Sequence, residues 1–226
     1  MSVYGQFCPV SRAAEMLGER WTLLIVRELL QGSTRFSELQ RGMPKISPSL
    51  LTKRLQELEN ARILYRRQTP GQKGFEYQLT PAGQSLHPLV MELARWGINW
   101  IEGQLSEDEL DIELLMFDIH RSLDPARFPD GTITLKFHFR DAEKLRDWWI
   151  LASRKSIDLC TKDPGNEPHA YLSTSIRALT ELWTGQVRWN QAMRSDTIKV
   201  VGSRAIVRQI PAWLGTSPTV ALKADT

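Results

Sequence analysis

Between residues 9 and 60, apolar positions recur at three- and four-residue spacing in short runs, each closed by a helix-stopping residue. Pro9-Val10-Ser11 leads into Arg12 to Leu17, which ends at Gly18, and Trp21 to Leu30 ends at Gln31-Gly32. Thr34 to Arg41 reads as a third, short helix. Ser47 followed by Pro48 is a cap with proline at the first helical position, and it opens a fourth helix through Asn60. Leu51, Leu55 and Leu58 form the apolar stripe of that helix, leaving Ser49, Thr52, Lys53 and Gln56 on the opposite face.

After residue 62 the period changes. Ile63 to Thr69 and Phe75 to Leu79 alternate β-branched or aromatic residues with polar ones, separated by Pro70-Gly71-Gln72-Lys73-Gly74, which predicts a hairpin with a basic tip. Short helices followed by such a hairpin form a winged helix-turn-helix. Thr80-Pro81 repeats the cap-plus-proline signal and predicts one long helix carrying Leu86, Leu89, Val90, Leu93, Trp100 and Ile101 at helical spacing. A domain this small cannot cover that stripe alone, so Leu86, Leu89, Val90 and Leu93 are candidate contacts of a homodimer.

Gly103 to Asp111 is acidic and poor in large apolar residues, which predicts a linker and divides the chain into domains at 1–103 and 110–226. The second domain opens with a helix over Leu110 to Leu123. Strands follow at 132–139, 145–152, 156–161 and 170–174, then helices at 176–183 and 190–194, a segment at 198–201 and a closing stretch at 204–213. The fold class is therefore α+β, a winged helix followed by a second α+β domain.

Charge sharpens the picture at one end only. The net charge of +3 conceals +5 over residues 1–80 and −2 over the remainder, so the basic excess sits on the predicted winged helix, where a phosphate-binding surface needs it. With 42% apolar and 24% charged residues the composition is that of a globular protein. No apolar run is long enough for a membrane span, and the two cysteines, Cys8 and Cys160, are too few for a disulfide framework. A cytoplasmic location with no membrane partner is expected.

Five motifs in order carry a family resemblance: Cys8-Pro9, Gly18 to Ile25, Arg35 to Leu39, Ile46 to Leu55, and Tyr77 to Gly83. Over residues 8 to about 102 the chain resembles the HxlR-type family of bacterial winged-helix regulators. That resemblance implies a homodimer built on the first and last helices of the domain, a recognition helix in the major groove and a wing near the minor groove. The second half more loosely resembles the sterol-carrier-protein family, through Trp148-Trp149, Ile157 to Cys160, Asp163-Pro164-Gly165, Leu179 to Gly185 and Ile198 to Gly202. It implies a small α+β fold with an apolar cavity.

Hydroxyl and cationic donors are what duplex DNA recognition uses, which makes Ser47, Ser49, Thr52, Lys53 and Arg54, with Lys73 of the hairpin tip, the candidate contacts to a double-stranded operator. Arg54 has a competing use, because Glu57 and Glu59 lie within its reach. Cys8 stands just before a helix, where the dipole favours a thiolate sensor; packing of the N-terminal arm is the plainer alternative. Trp148, Trp149, Trp183, Trp189 and Trp213 are either core or the wall of a pocket for a small apolar ligand. The four histidines show no metal-ligand spacing, and no phosphate loop or nucleophile motif occurs, so no metal, cofactor or enzymatic activity is expected. Two functions follow: a ligand-responsive transcription regulator, or a hydrophobic-ligand carrier that keeps the winged helix as a dimerisation scaffold. The polar, basic face of the fourth helix favours the first.

Overall fold

The computed structural model describes residues 4–68, 71, 74–101 and 105–225, and its chain divides into two compact units, 1–97 and 98–226. In the first unit the helices are α1 (Pro9–Leu17), α2 (Thr22–Leu30), α3 (Phe36–Gly42) and α4 (Pro48–Asn60). The strands β1 (Leu64–Gln68) and β2 (Phe75–Leu79) follow, paired antiparallel with Leu64 opposite Leu79 and Gln68 opposite Phe75. Ile25, Val26, Leu39, Leu51, Leu55, Leu58 and Leu64 close one core among these elements. At roughly 2 kcal/mol for each fully buried aliphatic side chain, the three leucines of α4 anchor that helix firmly.

The long helix expected from Pro81 is two helices, α5 (Pro81–Gln84) and α6 (His87–Trp100). Pro88 explains the break. It has no N–H to donate toward Gln84, and its ring would collide with the carbonyl four residues back in an uninterrupted helix. Thr80 fixes the start of α5: its hydroxyl donates to the Arg62 carbonyl at 2.7 Å and accepts from the Gly83 N–H at 3.2 Å. Gly83 permits this closeness, since a Cβ there would lie 2.2 Å from the Ile63 carbonyl oxygen.

In the second unit, α7 (Ile112–Ser122) precedes strands β3 (Ile133–Phe139), β4 (Asp147–Ala152), β5 (Ile157–Cys160) and β6 (Ala170–Thr174). Then come α8 (Ile176–Trp183), α9 (Trp189–Arg194), β7 (Lys199–Gly202) and α10 (Arg204–Leu214). The sheet order is β5-β4-β3-β6-β7, antiparallel except for the β3–β6 pair. Alternation sorts its side chains: Leu135, Phe137, Trp148, Ile150 and Leu172 join the core with α7, α8 and α10, while Lys136, His138, Asp147, Trp149 and Tyr171 fall on the other face.

The segment expected to be a linker is partly folded. Ser106 and Glu109 cap a single 3-10 turn over Glu107–Glu109, and Arg177 of α8 donates to the Leu105 carbonyl at 2.7 Å and to Glu107 at 2.6 Å. From Leu105 onward the chain is tied to the second unit.

Candidate nucleic-acid interface

Helix α4 is presented by the turn before it. Gln40 donates to the Ile46 carbonyl at 2.7 Å, holding residues 43–47 against α3, and the Ser47 hydroxyl accepts from the Leu50 N–H at 3.3 Å. The Ser47 and Ser49 hydroxyls lie 3.2 Å apart, and Thr52 donates back to the Pro48 carbonyl at 2.9 Å. Ser47, Ser49, Thr52, Lys53 and Gln56 are all exposed, so the structure brings four of the sequence-predicted contacts together on one face. Lys53 keeps 66% of its side chain in solvent, with Glu57 at 4.0 Å, a separation at which an exposed pair is worth little.

Arg54 does not belong to that face. Its residue is 8% exposed; its guanidinium pairs with Glu57 at 2.6 Å and Glu19 at 2.7 Å and donates to the Arg20 carbonyl at 3.1 Å. The bond to Glu57 outweighs the cost of burial and raises the Arg54 pKa above its ordinary value, and the charge of Glu19 adds to it. The cation is consumed inside the fold, which removes Arg54 from the contact set. It instead locks α4 to the α1–α2 turn. In that turn Trp21 adopts a left-handed backbone, φ 78°, at a cost of about 1 kcal/mol for a residue with a Cβ.

A second polar anchor lies in the core between α2 and the end of α3. Glu28 is fully buried, accepts from Arg27 at 2.7 Å and from the Ser33 hydroxyl at 3.3 Å, and leaves no room for a side chain at Gly42. Arg27 also donates to the Gly42 carbonyl at 3.3 Å, so α2 and α3 are fixed to each other where α3 ends.

The wing supplies cations from its strand. Arg66 lies over the Phe75 ring at 4.9 Å and pairs with Glu59 at 3.3 Å, while Arg67 pairs with Glu76 at 3.1 Å. Arg35 reaches Glu76 from the other side at 3.2 Å, tying the entry to α3 to β2. Sequence reasoning missed Arg66 and Arg67, adjacent residues of β1 whose side chains fall on opposite faces of the wing. Lys73 lies outside the described residues.

The apolar stripe expected for a dimer divides in two. Leu86 and Val90 pack on the core of their own unit, whereas Leu89 and Leu93 stay about half exposed, together with Trp96, Trp100 and Ile101. Leu89, Leu93, Trp96 and Trp100 fall at i, i+4, i+7 and i+11, one helical face. Leu86 and Val90 thus have packing within their own unit while remaining partly exposed, and Trp96, which the sequence reading left out, joins the exposed face. Tyr4, Phe7 and Val10 are also exposed, Phe7 almost completely. Cys8 is half-buried at the N-cap of α1, where its carbonyl accepts from the Arg12 N–H.

The five tryptophans do not line one cavity. Trp148, Trp183 and Trp213 belong to the helix-covered core, and Trp189 packs against it. Trp149 lies on the opposite sheet face with Lys136 at 4.9 Å from its ring. Consecutive strand residues point to opposite faces, which rules out a shared pocket for Trp148 and Trp149.

Comparison with known proteins matches residues 16–105 to the HxlR-like helix-turn-helix family model. The uncharacterized HTH-type transcriptional regulator YvaP of Bacillus subtilis is 38% identical over 99 residues, which cover 43% of this chain and 92% of the relative. The chain belongs to the HxlR-like helix-turn-helix family. A second relative, the uncharacterized HTH-type regulator sll1512 of Synechocystis, is 32% identical over 107 residues, covering 47% of this chain and 79% of the relative. Among solved structures, quinone-bound YodB from B. subtilis is 34% identical, with 42% of this chain and 100% of that one covered at a TM-score of 0.37. The redox regulator HypR in its reduced form is 31% identical, with 41% and 92% covered at a TM-score of 0.39. As an HxlR-like chain, this is a DNA-binding transcriptional regulator. No helix among the described residues is long and apolar enough to cross a membrane.

Proposed function

We propose that the chain is a homodimeric transcription regulator that reads a two-fold symmetric operator with α4 and takes a small ligand in residues 98–226. The observation that carries this reading is the exposed face of α4, where Ser47, Ser49, Thr52 and Lys53 stand over a fully buried leucine stripe. A mere scaffold would have no use for a rigid helix whose outer face offers hydroxyls and an ammonium group. Arg66 and Arg67, on opposite faces of β1, offer cations on the two sides of the wing, and Lys73, between β1 and β2 in the sequence, is a further proposed phosphate contact.

The half-exposed Leu89, Leu93 and Trp96 on one face of α6, with exposed Phe7 and Val10 of the same unit, make the dimer contact, because large exposed apolar residues of this kind mark an interaction site. The second unit, with helices packed on one face of its sheet, is of the α+β class that the sterol-carrier resemblance implies, and it is the input. Ligand binding shifts the balance between DNA-competent and incompetent states only as far as it discriminates between them. Cys8, half-buried at the start of α1, keeps its role as a candidate thiol sensor on the same dimer-forming segment.

Selection from a random duplex pool with the full chain tests the reading. It should enrich a palindrome whose half-sites lie about one helical turn apart. A pool that yields no consensus overturns sequence-specific regulation.

A further inference from the structure

The second unit carries a groove of about 420 Å³ between the start of β3 and α10, lined by Arg127, Phe128, Ile133, Arg154, Ile206 and Trp213 among others. Its floor is preformed. Phe128 and Trp213 stack with ring centroids 5.2 Å apart and 25° between their planes, and the Trp213 indole donates to the Arg127 carbonyl at 3.0 Å. Its rim is cationic, since Arg127 and Arg154 line it and no acidic side chain does.

Both guanidinium groups keep about 60% of their side chains in solvent, and their carboxylate partners are loose: Asp124 lies 3.6 Å from Arg127 and Asp130 lies 3.7 Å from Arg154, while Arg127 also donates to the Ala212 carbonyl at 3.1 Å, which holds its fork beside α10. Such exposed pairs exchange readily for a better acceptor. The planar fork of an arginine suits a carboxylate and also lies flat on an aromatic ring. The groove is open and shallow, so it suits a flat, rigid body that loses little freedom on binding better than a flexible chain that needs enclosure.

We propose that this groove binds a small aromatic carboxylate, with its ring system over Ile206 and the exposed edges of Ile133 and Trp213, above the buried Phe128, and its carboxylate between Arg127 and Arg154. The proposal rests on residues 98–226 being the ligand-receiving unit, and it names the chemistry received there. It also explains why the tryptophans need not surround a cavity: Trp213 alone contributes to this site.

The probe is naphthalene-1-acetate, compared with its uncharged amide, in calorimetric titrations of the full chain. The acid should bind about tenfold more tightly than the amide, the order expected for a charge-assisted hydrogen bond at a partly solvated site. Arg154→Ala and Arg127→Gln should each remove that preference while leaving the amide unchanged. Ala205→Trp, which fills the groove from α10, should block both compounds. Melting curves identify variants that fail to fold, and chemical-shift changes at Arg154 and Ile206 in the wild-type chain locate the site independently of any variant. No binding, equal binding of acid and amide, or shifts confined elsewhere would overturn the assignment. Operator affinity measured with the groove saturated separates the two claims. A change of fivefold or more supports regulation through this site, whereas unchanged affinity overturns ligand regulation and leaves the groove assignment standing.

Discussion

Replacing Arg54 with alanine should destabilise the N-terminal unit without touching its DNA-contacting face. The truncation leaves Glu19 and Glu57 facing the same space with no cation between them, and it strips the Arg20 carbonyl of its donor. Breaking a fully buried pair costs about 3–5 kcal/mol. The two carboxylates retain 30% and 27% of their side-chain exposure, so water recovers part of that, and about 2–3 kcal/mol is the expected loss. For a unit of this size, that is a fall of about 10–20 °C in melting temperature. Arg54→Lys restores the charge but not the two-sided fork, and should recover about half. Thermal unfolding by circular dichroism and calorimetry reads the loss. Operator titrations well below the melting transition should show the wild-type salt dependence, because Arg54 faces inward. A loss below about 0.5 kcal/mol, the range of ordinary surface substitutions, or a flattened salt dependence would refute the reasoning.

Three further expectations follow from the same geometry. Trp96→Glu, alone or with Leu89→Glu, should yield a folded monomer by sedimentation, with operator affinity falling in step; a dimer that survives both substitutions places the interface elsewhere. Gly42→Ala should cost about 1–3 kcal/mol, because the new methyl would meet the Glu28 carboxylate at 1.9 Å and that group is held by Arg27 and Ser33; an unchanged melting temperature would show that Glu28 can move aside. Burial alone would push the Asp147 carboxyl up, yet the hydrogen bond with His138 and the charge of Lys136 hold it below its ordinary 3.8. A depressed carboxylate contributes stability above its unfolded pKa that is lost as pH falls through the folded one, so Asp147→Asn should flatten the decline in stability of the second unit below about pH 4. A decline as steep as in the wild type would assign it to other carboxylates.

Much of the frame was legible because local chemistry carried it. Ser47-Pro48 and Thr80-Pro81 announce helix starts whose caps the structure contains, and the change from helical to alternating period at Ile63 marks the hairpin. Pro88 was an available signal for the break between α5 and α6, but the strong apolar stripe on either side of it argued for continuity. Arg54 shows what a local reading misses. Glu57 lies one turn away in sequence, but Glu19 is 35 residues distant, and only the folded α1–α2 turn brings it to 2.7 Å. Leu86 and Val90 share a helical stripe with Leu89 and Leu93; whether each faces its own core or solvent depends on how α6 sits on α2 to α4, which periodicity does not encode. For Trp148 and Trp149 the strand alternation in the sequence already separates the two rings, whereas the choice between core and pocket wall for the other tryptophans depends on packing that spacing does not encode.

The most direct test of the central claim, that the outer face of α4 reads DNA, is the salt dependence of operator affinity for the wild type, Lys53→Ala and Thr52→Ala. Each neutralised phosphate contributes about −0.9 to the log–log slope. Lys53→Ala should flatten the slope by about one unit, whereas Thr52→Ala should weaken operator binding with the slope unchanged and non-specific binding intact. Slopes and affinities identical to the wild type in both variants would contradict the account, placing the DNA on another surface of the unit.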